Sequence, residues 1–184
     1  MMLFCERITT PNLILRVPNT GDGQLVYEGV IETIDELKQW PNSWFWPHKP
    51  QSPELSEKYC LKAFHSFQNN RKWHLIIIDK LTEQFVGSIE FHTFDHEHKI
   101  WQLGFWTRKS FQRKGLMQEA LFYMITWMNI TYPEVIVMMK VETTNIKSLN
   151  LMEKLGFILI DEFDVTNNSG VRLKVYSNKK VVYA

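Results

Sequence analysis

The run from Trp101 to Val141 narrows the fold more than any other part of the chain. It begins with an apolar strand-like stretch, Trp101, Leu103 and Phe105. A basic turn follows, Gln112-Arg113-Lys114-Gly115-Leu116-Met117. A helix-like run from Leu116 to Ile130 then carries Leu116, Ala120, Leu121, Met124, Trp127 and Met128 on one face. Pro133 breaks the connection, and Val135 to Val141 reads as a strong strand. Strand, crossing helix and strand make a parallel unit that packs helices on a sheet. The turn itself suits phosphate. N–H groups at a helix start are unpaired and point outward, the helix dipole favours negative charge there, and Arg113 and Lys114 add positive charge.

The rest of the chain supplies more strands and helices. Leu13-Ile14-Leu15-Arg16-Val17 is a short strand closed by Pro18. Leu25, Val26, Val30, Ile34 and Leu37 recur at helical spacing, with Asn19 or Asp22 as the expected cap. Trp40-Pro41-Asn42-Ser43-Trp44-Phe45-Trp46-Pro47 is irregular, since two prolines exclude a helix interior. A second helix starts at Pro53. Trp73 to Asp79, Phe85 to Thr93 and Ile100 to Thr107 are strands, the last two joined as a hairpin through Asp95 to Lys99. Asn145 to Lys154 is a short helix ended at Gly156. Phe157 to Ile160 and Val171 to Tyr176 close the chain as strands, with a turn at Asn167 to Gly170. The expected architecture is α/β: a mixed central sheet of about seven strands with about four helices, splayed at the strand before the basic turn. At 184 residues the chain fits one domain, 1–184, with a core at about 10–178.

Bulk composition excludes several function classes. The net charge of +1 predicts no broad nucleic-acid surface, so anion binding has to be local. Only Cys5 and Cys60 are present, without metal-type spacing, which fits a reducing cytoplasmic setting. The longest aliphatic run, Leu75 to Ile78, is far too short to span a membrane. His92, His96 and His98 with Asp95 and Glu97 match no standard zinc pattern, so no metal is expected.

Element order, the Gln112 to Met117 turn, and the segment Asn145-Ile146-Lys147-Ser148-Leu149 leading to Lys154-Leu155-Gly156-Phe157 together resemble the GNAT superfamily of acyl-CoA-dependent N-acetyltransferases. The pattern around Ser148, Leu13 to Arg16, Leu103-Gly104-Phe105-Trp106 and the Trp-rich segment are similar to its RimJ/RimL branch, which acetylates ribosomal-protein N-termini. The resemblance implies acetyl-CoA as co-substrate. Gln112, Arg113, Lys114, Gly115, Leu116 and Met117 would then hold its pyrophosphate. Phe105, Trp106 and Thr107 would pair with the pantetheine arm like an added strand, and Asn145 would offer its amide. Two positions depart from the pattern. Met117 stands where Gly or Ala is usual, and Met152 where many members carry a Tyr acid. Ser148 is the implied proton donor instead.

Direct attack of an amine on the thioester also needs a base. Gln102 stands where some relatives place a Glu, which leaves Glu90, Asp164 and Glu142 as carboxylates to weigh. A chain-terminal amine titrates near ~7.7–8.0 and lysine near ~10.4, so a modest base favours an α-amine. Trp40, Trp44 and Trp46 are expected to wall the acceptor site, to anchor their loop in the core, or to do some of both. The expected partner is therefore a protein N-terminus, in a monomer or homodimer without nucleic acid or membrane. The alternatives are a small amine (polyamine, amino acid or antibiotic) and a non-catalytic acyl-CoA-binding sensor.

Overall fold

The computed structural model describes residues 5–40, 46–95, 97–165 and 170–180. The chain forms two compact units, Met1–His92 with Gly104–Met124 and Thr93–Leu103 with Ile125–Ala184. Among the described residues, strands and helices occur in the expected order, with eight strands rather than about seven.

In the first unit, β1 (Arg7–Thr9), β2 (Leu13–Arg16), β3 (Trp73–Asp79) and β4 (Phe85–Asp95, up to His92 here) form an antiparallel run, joined by the second half of β5 (Ile100–Thr107). β1 is the additional strand. Its three residues carry one apolar side chain, too few to show alternation, and it forms by pairing Arg7 with Arg16 through Thr9 with Ile14. β3 is buried on both faces, as its continuous apolar run requires. Helices α1 (Gly23–Leu37) and α2 (Pro53–Gln68) contribute Val26, Val30, Leu37 and Cys60 to a core with Ile76, Ile78, Phe85 and Trp106. Ser52 caps α2 by accepting the Leu55 N–H at 3.2 Å.

The start of α1 is built differently from the expectation. Asp22 holds the N-cap position but makes no side-chain cap. Its carboxylate instead takes a bidentate pair from Arg16 at 2.6 and 2.7 Å, a stronger partner than a neutral amide. Glu57 of α2 does the capping, accepting the N–H groups of Gly21 and Gly23 at 2.8 Å.

Helix α3 (Leu116–Thr131) starts in this unit, where Glu119 ties its first turn to the β1–β2 connection. The Glu119 carboxylate accepts from Thr10 Oγ1 at 2.5 Å, the Asn12 N–H at 2.8 Å and Asn12 Nδ2 at 2.7 Å. Burial acts to raise its pKa, but the Asn12 and Thr10 bonds prevail and hold it below the ordinary glutamate value. The folded state therefore favours the ionised form. That stabilisation is full above the unfolded value near ~4.3 and is lost as pH falls through the lower folded value. Glu119→Ala should cost about 1–3 kcal/mol at neutral pH. Thermal melts of the two proteins should converge as the solution is acidified.

In the second unit the sheet runs from the first half of β5 through β6 (Ile136–Glu142) and β8 (Arg172–Ser177) to β7 (Ile158–Asp164) at the edge. β5 and β6 are parallel, and the other pairs are antiparallel. β7 extends to Asp164, past the expected apolar stretch, because the ladder with β8 holds its polar half. The turn residues 166–169 lie outside the described residues. Helix α4 (Ile146–Lys154) begins at Asn145, whose side chain accepts the Ser148 N–H at 3.2 Å, and ends at Gly156 with φ +77°. No helix among the described residues is long and apolar enough to cross a membrane.

Candidate active site

The basic turn between β5 and α3 has the backbone of an anion cradle. Arg113 and Gly115 both have left-handed backbones, with φ +59° and +77°, an alternation that turns successive N–H groups toward one side. Among the described residues, no backbone carbonyl accepts the N–H of Arg113, Lys114, Gly115, Leu116 or Met117. A Cβ built on Gly115 meets nothing within 4 Å, so glycine is needed there for its backbone angle rather than for space. The Met117 side chain is buried, at 6% exposure, while Arg113, Lys114 and Gly115 are exposed. The unusual residue thus joins the core and still presents its N–H at the first turn of α3.

Helix α1 fixes this turn in place. Glu32 accepts from Arg108 Nε at 2.6 Å and from the Ser110 N–H at 2.5 Å. Thr33 Oγ1 accepts the Lys109 N–H at 3.1 Å, and Glu36 accepts from Gln112 Nε2 at 2.7 Å. Burial acts to raise the Glu32 pKa, but the bonds from Ser110 and Arg108 outweigh it and lower the net value. The Gln112 side chain therefore anchors the turn. These clamps leave only a faint mark in the sequence, the i, i+4 spacing of Glu32 and Glu36 on one helix face.

A cavity of about 550 Å3 opens in the same unit. Its walls include Trp46, Phe85, Trp106, Tyr59, Val26 and Val30. Trp106 lies 5.3 Å from Phe85 and 6.0 Å from Trp46, centroid to centroid. Glu90 lines the cavity with His74 and Ser88. His74 Nδ1 lies 3.2 Å from Glu90 Oε2, close enough for charge attraction but not aligned as a hydrogen bond. His92 Nε2 is 3.9 Å from Glu90 Oε1. Burial works to raise the Glu90 pKa, but His74, then His92 and Lys72, outweigh it and keep the carboxyl below its ordinary value. Burial, with the Glu90 charge behind it, pushes the Tyr59 phenol far up, so it stays neutral. Cys60 is fully buried, and burial raises its thiol to about 12, so it is no nucleophile.

A model of the acetyltransferase (GNAT) domain matches residues 12–158. The chain belongs to the GNAT acetyltransferase family. It is an acetyl-CoA-dependent N-acetyltransferase. Among curated relatives it is 32% identical over 147 residues to the uncharacterized N-acetyltransferase YjdG of Bacillus subtilis (strain 168), covering 79% of this chain and 81% of that one. Among the solved structures that share its fold are two with coenzyme bound. One is the microcin C7 self-immunity acetyltransferase MccE, in complex with acetyl-CoA and AMP (TM-score 0.83, 21% identity, 98% of each chain). The other is RimL, the ribosomal L7/L12 α-N-protein acetyltransferase, in complex with coenzyme A (TM-score 0.82, 20% identity, 94% of this chain and 97% of that one).

For a GNAT chain, several expected site residues come together and others do not. Glu90, Trp46 and Trp106 line one cavity. Trp40 is half-buried and not among the lining residues, and Trp44 lies outside the described residues. The registered β5–β6 pairs are Ile100 with Ile136 through Gln102 with Met138, although β5 runs on to Thr107. The backbone of Phe105, Trp106 and Thr107 lies beyond that ladder. In the second unit, Asn145 and Ser148 are half-buried at the start of α4, while Asp164 is exposed at the end of β7. Met152 is fully buried. Glu142 is buried, and its carbonyl accepts the Asn145 N–H at 2.8 Å. Among the described residues no group of three His, Cys, Asp or Glu side chains is placed to hold a metal ion. In the β4–β5 turn, Asp95 instead accepts the N–H groups of Glu97 and His98, while His96 lies outside the description.

Proposed function

We propose that the chain acetylates the α-amine of a protein N-terminus, of the ribosomal-protein type, by direct transfer with Glu90 as the group that receives the amine. The single observation that carries this reading is the aromatic-walled cavity whose one carboxylate, among the described residues, is Glu90. Several structures of the same fold bear ribosomal-protein acetyltransferase names, which supports the choice of acceptor.

The free amides of Arg113 to Met117 fit a diphosphate, and the backbone of Phe105 to Thr107 fits the pantetheine arm as an added strand. Bound acetyl-CoA supplies an activated acetyl thioester. Glu90 draws the acceptor in as an ammonium and, with His74 beside it, takes up the proton the amine sheds. Ser148, half-buried at the start of α4, is the residue that the family pattern offers as proton donor. Glu90 is preferred over Asp164 because it lines the cavity while Asp164 is exposed on an edge strand. The buried Cys60 thiol supports direct transfer over an acetyl-cysteine intermediate.

The cavity's volume also favours a second reading, a small amine held whole. Thiol release from acetyl-CoA against a panel of free-amine peptides, N-blocked peptides and polyamines decides between them. Free-amine peptides should be used with higher kcat/KM than polyamines. Equal use of blocked and free peptides would exclude α-amine transfer, and a preference for polyamines would transfer the site to small amines.

A further inference from the structure

We infer that the acceptor is an amine with an anionic group close behind it, bound with its ammonium toward Glu90 and its negative charge among lysines at the cavity mouth. This rests on the acetyl-transfer reading above and adds the charge of the substrate. Lys49, Lys58 and Lys62 are exposed and line the cavity. Lys58 and Lys62 stand one turn apart on α2, so they share a face with Leu55 and Tyr59. The acids on the same helix are committed elsewhere. Glu57 takes the Gly21 and Gly23 N–H groups, and Glu54 bonds at its own helix start with Ser52 while attracting Lys58. Among the described residues, neither Lys49 nor Lys62 has an ion-pair partner.

Among the described residues, the inner lining and the rim thus carry opposite signs, with Glu90 as the one carboxylate inside and Lys49, Lys58 and Lys62 outside. A substrate with the reverse polarity, amine first and anion next, satisfies both. A cationic acceptor such as a polyamine would leave its second positive charge facing the lysines. The chain is nearly neutral overall, at +1, so this preference belongs to the mouth and not to a general field. The anion can be an acidic side chain following a peptide N-terminus, or a phosphate on a small amine, and both present the same charge to Lys49 and Lys62.

The test uses the full chain with acetyl-CoA and measures thiol release. Its acceptors are free-amine peptides of one length, with acidic, neutral or basic residues after the first, and the pair O-phosphoethanolamine and ethanolamine. Acidic peptides should exceed basic ones in kcat/KM by about tenfold or more, and the margin should shrink as salt is added. Lys49→Glu with Lys62→Glu should reverse the order, raising kcat/KM for basic peptides as it falls for acidic ones. A melt of the double variant confirms that it is folded. O-phosphoethanolamine turnover without peptide turnover would keep the anion rule and assign it to small amines. Equal turnover of acidic and basic peptides, or an order unmoved by the double reversal, would overturn the inference while leaving acetyl transfer intact. Acetyl-CoA binding without thiol release on any acceptor would instead remove the parent reading, and this one with it.

Discussion

Replacing Glu90 by Gln should lower kcat/KM for the acceptor by about 10²–10⁴, the range typical of a lost acid–base group. Gln keeps the shape of the side chain and removes the charge that draws the ammonium. The affinity for acetyl-CoA, measured by calorimetry, should stay close to that of the parent protein, since Glu90 lies on β4 and not in the Gln112–Met117 turn. The pH dependence should have a particular form. His74 and His92 hold the Glu90 carboxyl below its ordinary value against the pull of burial, so it is ionised throughout the neutral range. Its competence fails only as pH falls through that lowered value. A rise in rate between about pH 7 and 9 should therefore follow the acceptor amine, whose own value lies near ~7.7–8.0, and Glu90→Gln should not abolish that limb. A Glu90→Gln rate within about threefold of the parent would move the base to another carboxylate, with Asp164 next to be tested.

Gly87→Ala should disable the protein without touching any substrate. A Cβ at Gly87 would stand 2.2 Å from the Trp106 carbonyl oxygen and 3.1 Å from Thr107 Cα. Both are backbone atoms, so no side-chain rotation relieves the overlap and the strands have to move. The Arg108 N–H to Val86 O bond, at 2.8 Å, crosses beside this point. Forced repacking of this kind costs about 1–3 kcal/mol or more. At this chain length that lowers the melting temperature by about 2–4 °C per kcal/mol. The displaced elements carry Phe85, Ser88, Glu90 and Trp106, so kcat/KM should fall along with stability. An alanine variant with parent-like melting and activity would mean that β4 and β5 separate at little cost.

The order of elements was legible because its signals are local. Trp73–Asp79 and Ile100–Thr107 have the expected bounds, since turns on either side and dense apolar runs mark them in the chain itself. The start of α4 at Asn145 was legible for the same reason, its side-chain partner being three residues away. What escaped depends on residues distant in sequence. Glu57 reaches α1 from 34 or 36 positions off, and Glu32 reaches Arg108 and Ser110 from 76 and 78. His74 beside Glu90 follows from the β3–β4 register, which pairs those two residues and which periodicity does not specify. β1 was missed because pairing, not hydrophobicity, makes it a strand. Trp40 and Trp46 looked equivalent in the chain, yet only Trp46 reaches the cavity wall.

One rod serves two jobs in the first unit. Val26 and Val30 of α1 form part of the cavity wall, while Glu32, Thr33 and Glu36, one to two turns along, grip the Arg108–Gln112 segment. A tilt of that rod by any substitution beneath it is felt at both places. Drift along α1 is therefore doubly policed: a change tolerated at the cavity wall still has to leave the Gln112–Met117 turn where it was.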